Sequence, residues 1–516
     1  MYLRLAEFAL LVLVCRLFFI RHKSRGLRLP PGPPGLPLIG NLHQISDDYQ
    51  QDTFSEWGRR YGDVVYARFV ANDVLIVNSA AAARVLMEKR GAKYSGRPLF
   101  TNIFLCTYYS SGGFSWNLAF MPNTDRWKRH RKWFQHGFQV KRRLDEYIPI
   151  QQRETRRILS DLLVEPDAYM SHIKRFAAAT MLEIGYGHTV TSLDDDYIHM
   201  IDSALDGMFL AGNPGSMMVD FFPPLKYVPA WLPGLTWKKT ATRLRPVVDV
   251  MNLSPFRAVV KAMNEGSAKS SFASAILDEV SPDEPLSPAE EREMSGAVGT
   301  VYAAGTETTV SMLSAWLLAM VRYPEVYKRA QTEINMVIGT GRLPELHDRD
   351  SLPFLECILK EVYRWHCPVP LGVPHALSEN DEYRGWWIPK GSMVIANLWG
   401  MMRDPELYPD PEAFRPERFL GFDKEAEVLD PKKVVFGFGR RVCPGQFLAD
   451  NNVWLVLATL IATMNIRKAR GEDGVEITPR LDYTSGIVSH PKPFPCDILP
   501  RSEKARQLIL DSCVDL

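Results

Sequence analysis

The chain has 516 residues, 46% of them hydrophobic, enough for one large or two ordinary domains around a sizeable core and too apolar for a disordered protein. Its 61 lysines and arginines stand against 60 acidic residues, a formal charge of +1, which removes any global reason to expect a nucleic-acid partner and leaves charge-based contacts to local patches. Seven cysteines without a CxxC pair argue against a disulfide scaffold and a zinc ribbon, and favour a reducing compartment.

Leu5 to Ile20 is almost wholly apolar, interrupted by Glu7 and Arg16, and Arg21, Lys23, Arg25 and Arg28 follow. The basic cluster after the apolar run, with no small-residue cleavage site, reads as a retained membrane anchor over residues 1–22 and not as a cleaved signal peptide. As a helix the run spans about 24 Å against a hydrocarbon core of about 30 Å, so Arg4 and Arg16 must snorkel or the bilayer must thin. Residues 23–41, basic and then proline-rich in "LPPGPPGLPLIGN", form a stiff linker to a body over 42–516.

Within the body, β-formers from Asp63 to Ser79 around Ala71, Asn72 and Asp73 predict a hairpin. From about Trp127 to Tyr323 the pattern is mostly helical, broken by the proline-rich stretch Phe221 to Gly234. "SPAE" at Ser287 to Glu290 is a capping box with proline at the first helical position, and Pro324 stops the run that follows. The resulting helix of roughly 35 residues is apolar on most of its circumference near its middle, so it should cross the core. A helix containing "FLECILKEVYRWH" should end before Pro368, β-formers return around "WWIPKGSMVIAN", Asp404 to Leu420 is irregular, and a last helix runs from about Gln446 to Met464. The fold class is mostly α with a minor β-sheet region.

Three stretches carry chemistry. In "FGFGRRVCPG" (436–445), Cys443 precedes a helix whose N-terminal amides favour an anion, so a thiolate is expected at neutral pH. Gly437, Gly439 and Gly445 leave room for a flat, bulky group, and Arg440 and Arg441 bring positive charge that can meet carboxylates. Alone, this string permits a structural turn, a nucleophile or a metal ligand. "AAGTETT" (303–309) interrupts the long helix with glycine and threonines, poor helix formers, and sets an acid, Glu307, beside an alcohol, Thr308. Glu361 and Arg364 stand three apart on one helix face, close enough to pair.

Phe436, Gly439, Arg441, Cys443 and Gly445 match in spacing the haem-ligand signature of the cytochrome P-450 superfamily, and the chain resembles that family from its anchor to beyond the cysteine loop. The resemblance implies the cytochrome P-450 fold, a single large domain with an N-terminal membrane helix. It implies that Cys443 is the axial thiolate of haem iron, that Arg441 pairs with a propionate and that Phe436 packs near the thiolate, with Gly439 in the same cofactor-binding loop. "AGTETT" resembles the A-G-x-[D/E]-T-T motif, which implies that Gly305 opens a gap over the iron and that Thr308 and Glu307 relay protons to reduced dioxygen. Glu361 and Arg364 resemble the E-x-x-R pair and Arg418 its third member, a structural lock. Trp127 and Arg131 resemble the W-x-x-x-R pair that faces the propionates, and His375 stands where a pH-sensitive propionate contact is implied.

By the same resemblance, Ala303, Leu371, Val373 and Ile487 belong to the substrate pocket, with loops near Phe100 to Phe120 and Phe209 to Met218. These mostly apolar segments suit a hydrophobic small molecule such as a terpenoid, with an aromatic or indole alkaloid or a xenobiotic as the alternative. "LMEKRGAKYSGRP", "LKYVPAWLPG" and "PERFLG" resemble basidiomycete fungal members of secondary metabolism. The implied activity is a membrane-anchored monooxygenase using O2. The chain has no GxGxxG opening a helix after a strand, so electrons are expected from a separate NADPH–cytochrome P-450 reductase at the endoplasmic reticulum membrane, with the catalytic domain cytosolic. Lys128, Arg129, Lys132 and Arg440 are candidates for its docking face. A non-oxygenating haem-thiolate isomerase, dehydratase or sensor is the competing class, against which Glu307 and Thr308 argue.

Overall fold

A computed structural model of the protein describes residues 28–98, 116–192, 195–200, 227–229, 236–280, 285–421 and 430–514. The expected anchor over 1–22, the pocket segments 100–115 and 209–218, and most of the proline-rich stretch 221–234 lie outside the described residues. Among the described residues no helix is long and apolar enough to cross a membrane.

Helix α1 (Gln50–Tyr61) leads into the expected hairpin, β1 (Val64–Phe69) and β2 (Asn72–Val77). Its turn falls earlier than expected, at Val70 and Ala71, because Asn72 and Asp73 already pair with Phe69 and Arg68. The helical region holds α2 (Asp125–Phe138), α3 (Lys141–Val164), α4 (Tyr169–Tyr186), α5 (Thr236–Asn264) and α6 (Phe272–Val280). The long helix is α7 (Pro288–Arg322), with the Ser287–Glu290 capping box formed in both directions. Pro324 opens α8 (Pro324–Val337), and Pro353 opens α9 (Pro353–Trp365), whose first free amides, Phe354 and Leu355, donate to the Glu333 carboxylate of α8.

Short strands follow: β3 (His375–Ala376), β4 (Asp381–Tyr383), β5 (Trp386–Ile388) and β6 (Met393–Ala396). The main sheet has the order β1-β2-β6-β3, with β6 parallel to β2 and antiparallel to β3, so the early hairpin and the late strands close one layer. After the cysteine loop come α10 (Gln446–Thr463), the pair β7 (Met464–Lys468) and β8 (Cys496–Pro500), and α11 (Glu503–Ser512).

Helix α7 crosses the core as its sequence implies, and it does so by serving two apolar clusters. Val310 to Val321 belongs to the larger one, with α9 and α10, whereas Met294 to Tyr302 belongs to a second built on α2, α4, α5 and α6. The intervening stretch is the seam between them, and there Ala304 is exposed although the helix lies in the interior. Gly305 serves the packing of this seam. A Cβ there would fall on the Met181 side chain, so this glycine lets α4 approach α7.

Glu361 and Arg364 form a fully buried bidentate pair at 2.7 and 2.8 Å, not the solvated surface contact that an i,i+3 spacing usually gives. Glu361 also accepts from the Arg415 amide at 2.7 Å and from Arg418 Nε at 3.2 Å, while Arg364 donates to the carbonyls of Met402, Pro411 and Ala413. The ion pair thereby fastens the irregular stretch after β6 onto α9. Removing one partner strands the other charge in the interior, so Arg364→Leu should lower stability by about 3–5 kcal/mol, read as a fall in the denaturant midpoint.

Candidate active site

The loop from Phe436 to Gly445 is shaped by backbone conformations that only glycine adopts freely: Gly437 has φ +79° and Gly439 has φ +60°. A Cβ on Gly439 would fall on the Met87 carbonyl, so this glycine seats the loop against the wide π-helical turn Arg84–Lys89. A Cβ on Gly437 or Gly445 would meet nothing within 4 Å, which leaves those faces open to a ligand. The Cys443 amide donates to the Phe436 carbonyl at 2.8 Å, and Phe436 packs edge-on to Tyr363 of α9 at 5.4 Å.

Cys443 lies deep in the protein and still keeps accessible surface, the mark of a group that lines an internal space. Burial raises its thiol above the ordinary value, against the opposing influence of the Gly445 amide and Arg131. A bound metal cation would favour the thiolate against this burial.

Around this loop the structure gathers positive charge. Capping of α2 by Thr124, which accepts the Trp127 amide, sets Trp127 and Arg131 one turn apart on one face. Arg131 donates to the Val442 carbonyl at 2.7 Å, and the Arg441 guanidinium lies 4.1 Å over the Trp127 ring. Arg441 donates to the carbonyls of Ser95 at 3.0 Å and Met121 at 2.9 Å. Arg97, which the sequence reading did not single out, joins them and donates to the carbonyls of Ala119, Val373 and Pro374 at 2.6, 2.6 and 2.9 Å. Burial and the neighbouring Arg441 push Arg97 well below the ordinary guanidinium value, while burial and Arg131 push Arg441 down to about 9.

His375 is also held neutral, by burial, then Arg97 and Arg441. Its Nδ1–H is given to the Tyr94 carbonyl at 2.6 Å, so Nε2 can meet a carboxylate only by taking up a proton; the expected titration near neutral pH is suppressed in the protein alone. None of the three arginines has a carboxylate partner among the described residues, and the sequence of 99–115 contains no acid. The buried Trp127 Nε1 has no hydrogen-bond partner there either. Three guanidiniums and an orphaned donor fit a flat group bearing carboxylates on one edge, as the two haem propionates would be.

The seam of α7 shows the proposed relay residues side by side but not bonded to each other. Thr308 Oγ1 donates to the Ala304 carbonyl at 2.7 Å, and Glu307 Oε2 lies 3.2 Å from Nε2 of His490, a partner no spacing in the sequence reveals. Leu371, Val373 and Ile487 meet in an apolar cleft with Phe120, Gly372 and Ile395, and Gln50 and Gln51 stand on its rim. Ala303 does not join that cleft; it packs against the second apolar cluster, and Ala304 is the exposed alanine. Of the expected docking cations, Lys128 is paired with Asp125, Arg129 with Glu293 and Lys132 with Glu279, leaving Arg440 exposed without an acidic partner among the described residues.

The cradle is braced from outside by Asp381 of β4, which accepts from Arg90 at 2.7 Å, Lys93 at 3.1 Å and Tyr94 at 3.1 Å. Those contacts fix Tyr94 and Ser95, whose carbonyls hold His375 and Arg441. Burial alone would raise the Asp381 carboxyl, but its three donors hold it below the ordinary value. A depressed carboxyl stabilises fully above the unfolded value of about 3.9, and the contribution is lost as pH falls through the folded value. Asp381→Asn should therefore cost about 1–3 kcal/mol at neutral pH and flatten the loss of stability below about pH 4, both read from denaturation at a series of pH values.

A family model described as Cytochrome P450 matches residues 30–496. Cytochrome P450 monooxygenase 176 of Postia placenta is 47% identical over 96% of this chain and 94% of its own length. Cytochrome P450 monooxygenase 136 of the same fungus is 44% identical over 98% and 95%, and tryptamine 4-monooxygenase of Psilocybe cyanescens is 37% identical over 95% and 96%. The family binds haem through a cysteine thiolate and uses O2, a hydrophobic substrate and a redox partner. The likeness runs over nearly the whole length of each protein and is of one kind: this chain belongs to the cytochrome P450 family of haem-dependent monooxygenases.

Proposed function

We propose that the protein is a membrane-anchored monooxygenase that hydroxylates or epoxidises a neutral, hydrophobic small molecule of terpenoid class. Cys443 is its iron ligand, and NADPH–cytochrome P450 reductase at the endoplasmic reticulum membrane is its electron donor. The observation that carries this reading is the set of inward-drawn cations beside the Cys443 loop that have no carboxylate partner among the described residues: Arg97, Arg131 and Arg441 would hold the propionates, with Trp127 Nε1 as a further donor and His375 joining on proton uptake. Gly437 and Gly445 leave the loop open to the porphyrin face. The anchor rests on the apolar run before the basic linker.

Cys443 is preferred to the other buried thiols on electrostatic grounds. Cys357, Cys367 and Cys496 are packed in the larger apolar cluster, and burial pushes them up to about 11, 12 and 12. Asp497 and Asp167 further disfavour a thiolate at Cys496, whereas Arg131 favours one at Cys443.

When bound, haem supplies the activation of dioxygen, with one oxygen atom passing to the substrate and the other leaving as water. The chain's own residues orient and protonate. Thr308, its hydroxyl proton given to the Ala304 carbonyl, keeps lone pairs to accept a bond, and Glu307 can carry a proton at Oε2. Leu371, Val373, Phe120 and Ile487 hold an apolar substrate and exclude water.

The name of the tryptamine-oxidising relative favours an amine as the second reading. Against it, none of the described residues lining the cleft is acidic, so nothing there would answer an ammonium group. Spectral titration of the ferric protein should therefore show a neutral sesquiterpene binding at least about tenfold more tightly than tryptamine, and the reverse order would overturn the terpenoid reading. Cys443→Ser should abolish the red-shifted carbon monoxide band of thiolate-ligated haem while Cys496→Ser retains it. Arg97→Leu and Arg441→Leu should each weaken haem retention about 10- to 100-fold, the loss of one charged hydrogen bond.

A further inference from the structure

We infer that His490 is a proton-relay residue that recharges Glu307 from solvent. The inference rests on the proposed role of Glu307 and extends it outward by one station.

Glu307 and His490 face each other at 3.2 Å, Oε2 to Nε2, with side chains only 15% and 19% accessible. His490 is fixed by a closed loop: the Thr484 amide donates to the His490 carbonyl at 2.8 Å, and the His490 amide donates to Thr484 Oγ1 at 2.9 Å. The outer side of that loop, Thr484 and Ser485, is exposed, while Gly486 and Ile487 line the cleft. His490 thus stands between water and the seam of α7. Its Nδ1 has no partner among the described residues.

Among the described residues, the groups around the pair offer no better carrier. His366, at the end of α9, bonds the Ser489 carbonyl and Ser311, stacks on Tyr483 at 5.1 Å, and is pushed down to about 3 by burial and by His490, so it stays neutral. Asp482 is paired with Lys492, Arg322 donates to the Pro479 carbonyl, and Arg403, beside Tyr483, has no proton to exchange near neutral pH. Imidazole can take a proton from water at Nδ1 while giving one from Nε2 to Glu307 Oε2; one proton enters, one leaves, and no electrons move.

The test uses the full-length holoenzyme with reductase, NADPH and O2 but no organic substrate, so that electrons reduce O2 to peroxide or water. His490→Gln keeps a hydrogen-bonding side chain but cannot shuttle a proton. It should slow NADPH consumption about three- to tenfold and enlarge the solvent deuterium isotope effect, and the double variant with Glu307→Gln should be no slower than the slower single variant, as stations in series require. An unchanged rate and isotope effect in His490→Gln, or multiplicative losses in the double variant, would overturn the relay. The carbon monoxide band and melting temperature of the same samples read structure separately. Retention of both supports the relay, whereas a rate loss that merely follows their decline makes His490 a loop brace and sinks it. Absence of the band in the unsubstituted protein would instead overturn the haem–Cys443 reading beneath it.

Discussion

Positive charge drawn inward without a counter-charge among the described residues is the constraint on which the site depends. Among the described residues, Arg97, Arg131 and Arg441 are answered by backbone carbonyls and, for Arg441, by the Trp127 ring, which partly solvate a guanidinium and do not neutralise it. A protein tolerates such an arrangement where a bound anion completes it, and the rest of the architecture keeps the arrangement from relaxing. The Asp381 brace fixes the carbonyls of Tyr94 and Ser95, the capped start of α2 fixes Trp127 and Arg131, and the glycine turns seat Arg441 against the π-helical turn. The thiol follows the same logic with opposite sign: burial disfavours the Cys443 thiolate, and a bound cation would favour it.

The Glu361–Arg364 lock provides a contrast in the same molecule. There the buried charges are paired with each other and saturated by Arg415, Arg418 and the carbonyls of Met402, Pro411 and Ala413, so they need nothing from outside. One cluster is closed and structural, the other open and receptive. Helix α7 makes a similar division along its own length, with two tightly packed stretches, Met294–Tyr302 and Val310–Val321, and Glu307 and Thr308 at the seam between the two clusters.

Local features were legible in the sequence wherever the signal lay within a few residues. The capping box, the proline-bounded helices and the glycine-rich cysteine loop formed where spacing put them, and the hairpin formed with its turn slightly earlier. What was not legible depended on encounters between distant segments. Nothing about Arg97 in "SGRP" distinguishes it from a surface arginine until the chain brings it to Arg441. His490 meets Glu307 only after β7 and the following loop have folded back over α7. That the missing side chain of Gly305 accommodates Met181 is visible only when α4 is docked. Arg129 and Lys132 on α2 find their acidic partners at 293 and 279, far along the chain.

Arg97 donates at once to the carbonyls of Val373 and Pro374, and Val373 is part of the cleft wall. The side chain proposed to hold a propionate on one side therefore sets the position of a cleft-wall backbone on the other. Loading the cofactor and shaping the cleft are then thermodynamically linked, so whatever strengthens Arg97 against its anion also stiffens the wall against the substrate.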